Sequence, residues 1–307
     1  MTTKYFYIIP LIAISLSCSA KKTETKAKVN PDTESIFDSA TNPDEKELTN
    51  DLIWYSGEFY GKSVRGVSSM NDGEHFTAMD NGEMGPEINK YSYKTYEKVS
   101  TILTFMDLKD EDGKPIPIDA YEFSADEQKV LIATEQESIY RRSSKSYYYI
   151  YDLKTKKTIP LSDKELGKQR LADFSPSGNL VAFVRENNLF FVNTETGKEI
   201  QITQDGKINE IINGATDWVY EEEFGFHKGF EWNSDGTKLA YWKFYEMDVK
   251  EFHLDYYGTL YPEEFRFKYP KAGEDNSKIS VHVYDIPTES STPVNIIDQK
   301  EEYYIPR

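Results

Sequence analysis

Phe174-Ser175-Pro176-Ser177-Gly178, followed by the apolar run Leu180 to Val184, is the stretch that decides the fold. An aromatic residue enters a turn of Ser, Pro and Gly, and β-branched and aromatic residues leave it, which is how an antiparallel strand pair is punctuated. The phrase recurs on both sides. Phe123-Ser124-Ala125-Asp126-Glu127 precedes Val130 to Ala133, and Trp232-Asn233-Ser234-Asp235-Gly236 precedes Leu239 to Trp242. A weaker copy, Asn71-Asp72-Gly73, precedes His75 to Met79. Second hairpins complete the units: Tyr147 to Leu153 turns at Lys154 to Lys157, and Leu189 to Asn193 turns at Thr196-Gly197. The spacing of about 50 residues suits one four-stranded antiparallel blade of a β-propeller, and a turn phrase at near-constant period favours that architecture over a β-sandwich.

Composition agrees with an all-β chain. Of 307 residues, 14% are aromatic, with 23 Tyr, and 29% are charged, which suits strands with aromatic faces and argues against disorder. The formal charge of −17 excludes nucleic acid as an expected partner, because phosphate binding needs a basic face.

The first residues read as an address. Lys4 supplies a positive start, Tyr5 to Leu16 an apolar run too short to span a bilayer comfortably, and Ser15-Leu16-Ser17-Cys18 a small-residue processing site. This resembles a bacterial lipoprotein signal over residues 1–18, with Cys18 lipidated as the first mature residue and serving as the membrane anchor. Ser15 departs from the usual Leu, and ordinary cleavage after Ala20 stays open. Cys18 is the only cysteine, so no disulfide is expected and stability must come from packing. Residues 19–47, rich in Lys, Thr, Glu, Asp, Asn and Pro, read as a flexible tether. Order is expected from Leu48, with Thr49 or Asn50 capping one helical turn, and residues 48–307 are assigned to the propeller.

Chemistry concentrates at Asp217-Trp218-Val219-Tyr220-Glu221-Glu222-Glu223-Phe224. Three adjacent acids repel one another, and aromatic neighbours raise the cost of burying them unless a cation or strong donors compensate. A strand would send Glu221 and Glu223 to one face and Glu222 to the other, whereas a helical turn lets two neighbouring carboxylates splay toward one point. A primary ammonium, with three donors on one compact charge, is a ligand that two carboxylates can share. A solvated acidic turn is the plainer alternative.

Elsewhere the chemistry is sparse. Gly66-Val67-Ser68-Ser69-Met70 approaches a nucleophile elbow but lacks the final glycine, and there is no His-Glu-x-x-His, phosphate loop or cysteine pair. His75, His227, His253 and His282 are isolated and read as structural, and Asp110-Glu111-Asp112-Gly113 reads as a hairpin turn rather than a calcium loop, because Leu108 takes the first ligand position. No cofactor or metal is called for.

Asp217 to Phe224, together with Glu231-Trp232-Asn233-Ser234-Asp235-Gly236 and Tyr269-Pro270-Lys271-Ala272-Gly273-Glu274-Asp275-Asn276, closely resembles the propeller domain of the dipeptidyl peptidase IV family. The resemblance runs with gaps from about Leu48 to Arg307. It implies that Glu222 and Glu223 hold the free amino terminus of a peptide substrate. Matching Tyr149-Ile150-Tyr151-Asp152-Leu153 to the family's corresponding strand places Arg141 on the substrate-contacting arginine. Such an arginine would offset the glutamates' repulsion and offer a donor fork to a backbone carbonyl.

The resemblance implies an extracytoplasmic serine exopeptidase of the bacterial envelope or periplasm that removes dipeptides. Family members join an eight-bladed propeller to an α/β-hydrolase domain carrying Ser, Asp and His, while the ordered part of this chain supplies only about five blades at about 50 residues each. The expectation is therefore an incomplete propeller, the substrate-gating front part of a longer peptidase without its catalytic domain. A stand-alone peptide-binding module, a scaffolding propeller, tripeptidyl release and a homodimer of the full-length parent stay open. Glu222 and Glu223 should leave the blade pattern in a short helical or irregular turn, with Arg141 reaching them from another blade and Glu221 turned away.

Overall fold

A computed structural model describes residues 47–61, 65–295 and 303–306. Cys18, the signal over 1–18 and nearly all of the tether fall outside the described residues. The described residues up to 61 and those from 65 onward belong to two separate units. In the first, α1 (Asn50–Trp54) is one short helix whose cap is Thr49, the hydroxyl accepting from the Leu52 amide at 3.1 Å.

The second unit is built of antiparallel sheets, and among the described residues no sheet closes on itself. The first blade comprises β1 (Arg65–Ser69), β2 (His75–Gly82), β3 (Gly85–Ser92) and β4 (Lys98–Thr104), in that spatial order. The second follows as β5 (Ala120–Phe123), β6 (Lys129–Ser138), β7 (Ser144–Asp152) and β8 (Lys157–Pro160). The third is β9 (Arg170–Phe174), β10 (Leu180–Arg185), β11 (Asn188–Asn193) and β12 (Glu199–Gln201). Each is a simple meander, the arrangement expected of propeller blades.

The fourth blade departs from that meander. Its innermost strand is split into β13 (Ile211–Asn213) and β14 (Phe230–Trp232), both paired with β15 (Lys238–Tyr245). Between them the chain loops out through α2 (Trp218–Glu223) and returns, with Gly229 N donating to Gly214 O at 3.1 Å. A second excursion, the hairpin β16 (Glu251–Tyr256) and β17 (Glu263–Lys268), precedes the outer strands β18 (Lys278–Asp285) and β19 (Ser290–Pro293).

Strand alternation makes the blades stack. In β6, Val130 and Ile132 face the first blade while Leu131 faces the third; in β10, Val181 and Phe183 face the second blade while Ala182 and Val184 face the fourth. Central strands covered on both sides read as continuous apolar runs, which is why Leu180 to Val184 shows no polar alternation. The core is consequently three interblade layers, with Phe183, Tyr151, Phe230 and Phe244 among its fully buried side chains. Each such side chain contributes about 2–3 kcal/mol of transfer free energy.

The turn phrase also joins blades. Its last residue donates its amide back to the carbonyl of the residue after the aromatic (Ser124, Ser175, Asn233), with a positive φ at Glu127 (54°), Gly178 (68°) and Gly236 (70°). A Cβ on Gly178 would lie 3.2 Å from Ser124 Cβ, so each turn nests on that of the preceding blade and glycine suits both the backbone and the space. Glu127 tolerates the same conformation, and its carboxylate accepts from the Asn71 amide of the first blade at 2.5 Å. Asp110 to Gly113 is a turn, Gly113 N donating to Asp110 O at 2.9 Å.

Candidate functional site

The triple glutamate lies on α2. Asp217 caps the helix, its carboxylate accepting from the Tyr220 amide at 3.0 Å and from the Ser277 hydroxyl at 2.7 Å. Burial pushes the Asp217 carboxyl above its ordinary value, against the pull of those two donors. Val219 and Tyr220 anchor the inner face: the Tyr220 ring lies 4.9 Å from Phe244 and 5.6 Å from Phe226, and its hydroxyl accepts from Ile305 N at 2.8 Å. Trp218 packs on Tyr269 at 4.4 Å, which brings the Tyr269-Pro270-Lys271-Ala272-Gly273 stretch against the glutamate helix.

With the helix fixed this way, its three acids meet different surroundings. Glu221 is fully buried, and its Oε1 accepts from the backbone amides of Arg142 and Ser143 at 2.7 and 2.8 Å. Glu222 is 14% exposed and meets Arg141, whose Nε stands 3.3 Å from Glu222 Oε2. Glu223 is exposed and makes no hydrogen bond or ion pair among the described residues.

Arg141 reaches the helix because the β6–β7 hairpin outruns its blade. Glu137 pairs with Lys145 and Ser138 with Ser144 past a register shift, and Ile139 N donates to Ser143 O at 2.8 Å, closing a tight loop with Arg141 at its tip. Lys168 buttresses the hairpin by donating to Glu135 O at 2.5 Å and to Glu137 Oε1 at 2.7 Å.

A buried polar cluster beneath α2 escaped the sequence. Arg170, at the start of β9, has Nε and Nη2 buried without hydrogen-bond partners, and the second oxygen of Glu221 is likewise buried without one. Burial pulls the Arg170 guanidinium below its ordinary value, and the charge of Glu221 is the largest influence opposing that. Glu246, just after β15, is pushed up to about 7, first by burial and then by the charge of Asp217. Burial also raises the Tyr140 hydroxyl and lowers His227, which answers to Glu221, Arg170 and Arg142. The only local signal was a charged residue ending an apolar strand, as Glu246 does after Phe244-Tyr245.

A concavity of about 1000 Å³ lies elsewhere, lined by residues including Asp112, Tyr149, Ser162 and Glu199 and by none of α2. Glu199 is already bonded there by Ser162 and Arg185. The arrangement on α2 is chemically different: two carboxylates, one nearly buried and one free, beside an arginine that is 75% exposed. It can accept from a compact cation and donate to an oxygen next to it.

Known proteins share this arrangement of chain. Residues 124–307 match the family described as dipeptidyl peptidase IV (DPP IV) N-terminal region. A probable dipeptidyl-aminopeptidase B of Chaetomium globosum is 40% identical over 177 residues, which is 53% of this chain and 19% of that protein. A probable dipeptidyl peptidase 4 of Emericella nidulans is 32% identical over 250 residues, 78% of this chain and 30% of that one. The crystal structure of Porphyromonas gingivalis dipeptidyl peptidase 4 matches with a TM-score of 0.77 at 39% identity, covering 86% of this chain and 37% of the other. The chain thus spans about a fifth to a third of the length of these curated relatives.

Proposed function

The chain belongs to the dipeptidyl peptidase IV family, whose N-terminal region it matches over residues 124–307, and from that membership we propose that α2 and the Arg141 loop read a peptide by its free amino terminus. The observation that carries this is the Arg141–Glu222 pair at 3.3 Å, drawn from two different blades, with Glu223 unpaired beside it. The peptide ammonium binds between Glu222 and Glu223, replacing water with two charge-assisted bonds. Arg141 keeps Nε toward Glu222 and turns its other N–H groups to the carbonyl of the first peptide unit. Recognition, not bond cleavage, is the role of these residues. The propeller selects peptides by their amino end for the serine-type dipeptidyl peptidase chemistry of the family.

A lipid on Cys18 would tether this activity to the bacterial envelope, outside the cytoplasm. The site itself is tested by titrating the purified chain with glycyl-prolyl amide and with its N-acetylated form in a calorimeter. Binding of the first and not of the second is expected, with Glu222→Gln weakening it at least tenfold, the cost of one charge-assisted bond. Equal affinity for the acetylated peptide would refute an ammonium site. Failure of residues 19–307 to cleave glycyl-prolyl chromogenic substrates is the companion expectation.

A further inference from the structure

Glu221 is the one acid of the triple that faces no peptide, and it is placed where three blades converge. From α2 in the fourth blade, its Oε1 takes both backbone amides of Arg142 and Ser143 in the second blade, at 2.7 and 2.8 Å. Its side chain is wholly inaccessible, and its charge acts on Arg170, the buried guanidinium that opens the third blade and, like Glu221 Oε2, has buried polar atoms without a hydrogen-bond partner. The Arg142 amide belongs to the residue next to Arg141. Fixing two successive peptide groups leaves the Arg141 Cα little freedom, although the Arg141 side chain is 75% exposed and has little packing of its own.

We propose that Glu221 is a positioning residue, a carboxylate strut that sets Arg141 against Glu222 by gripping the backbone of the loop that carries it; this rests on the amine-binding role proposed above. A carboxylate suits the task better than a neutral acceptor. One oxygen can take two converging N–H donors, and the negative charge strengthens both bonds in a site closed to water. The nearby Arg170 charge compensates part of the cost of burying it, without a hydrogen bond between the two.

The consequence is coupling between two residues that do not touch the same ligand atoms. Without the strut, the 139–143 loop is free to swing, and the Arg141 guanidinium spends less time over Glu222. Affinity then falls through lost preorganisation and not through a lost contact. Arg141 and Glu221 should therefore act as one unit, and substitutions at the two should not add.

Two measurements on the full chain decide this. In hydrogen exchange, the amides of Arg142 and Ser143 should be protected in the unaltered protein and exchange at least about tenfold faster in Glu221→Ala, with Glu221→Gln intermediate because it keeps an acceptor oxygen. In calorimetry with glycyl-prolyl amide, Arg141→Ala should weaken binding about tenfold in the unaltered background and less than about twofold in Glu221→Ala. A purely structural Glu221 would leave the Arg141→Ala effect intact in both backgrounds, which overturns the proposal. Unchanged exchange at residues 142 and 143 overturns it as well. If the unaltered chain binds no amine-terminated peptide, the site assignment fails by itself, and exchange alone decides whether the strut exists. If Glu221→Ala does not fold, Glu221→Gln takes its place in both measurements, with smaller changes of the same sign.

Discussion

Arg141 Nε lies 3.3 Å from Glu222 Oε2, yet the arginine side chain is 75% exposed and the glutamate only 14%. An ion pair so open on one side is solvated and screened, and contributes under about 1 kcal/mol to stability. Arg141→Ala should therefore shift the urea midpoint by less than that equivalent while weakening glycyl-prolyl amide binding about tenfold. A large loss of stability would mean that Arg141 is part of the fold.

Gly214, where the chain leaves β13, has φ 74°, and a Cβ there would sit 2.8 Å from Leu189 Cδ1 and 3.1 Å from Val184 Cγ2. Both neighbours are fully buried. Gly214→Ala is expected to cost about 1–3 kcal/mol through backbone strain and overpacking. It should also disturb α2, read as an altered near-ultraviolet signal from Trp218, and a variant as stable as the parent would contradict the packing described.

Phe183 is fully buried between the second and third blades, stacked on Phe190 at 5.4 Å. Phe183→Ala should cost about 3–5 kcal/mol, seen as a lower denaturant midpoint.

Glu246 supplies a pH signature. Its carboxyl is raised from 4.5 to about 7, chiefly by burial, with Asp217 adding to the rise and Lys268 and Arg170 opposing it. A carboxyl raised in the folded state costs nothing below pH 4.5, where it is protonated folded and unfolded alike. The penalty grows as pH rises and is complete above about 7, where it amounts to about 3 kcal/mol. Glu246→Gln should thus match the parent in stability near pH 4 and exceed it at pH 8. A difference independent of pH would show that Glu246 is not the group titrating.

Cys18 gives the fifth expectation. The expressed protein should partition into detergent and Cys18→Ala should not, and equal aqueous partitioning of both would leave ordinary secretion.

The blades were legible because turn chemistry is local. Phe174 to Gly178 and its copies carry the whole signal within five residues, and the strands after them appear as β6, β10 and β15. The split of the fourth blade's inner strand was hidden, since Ile211–Asn213 and Phe230–Trp232 become one edge only through shared pairing with β15. At the site, a helical turn for the glutamates could be argued from their mutual repulsion. That Glu221 turns away from the other two was expected from the family resemblance, but its full burial was not legible, because it finds its donors 78 and 79 positions away. Arg170 and Glu246 were invisible for a related reason: a lone charge at a strand end looks the same in sequence whether solvent or another blade lies beyond it.

The excursion between β13 and β14 departs at Gly214 and comes back at Gly229, so the ladder on β15 never counts the residues in between. A change of length at its exposed positions leaves the β15 rungs in register, although Ala215 and Tyr220 within it belong to the buried core, whereas one residue added inside β15 would turn its core face outward. The length of the loop and the register of the sheet are in this way set by separate letters of the chain.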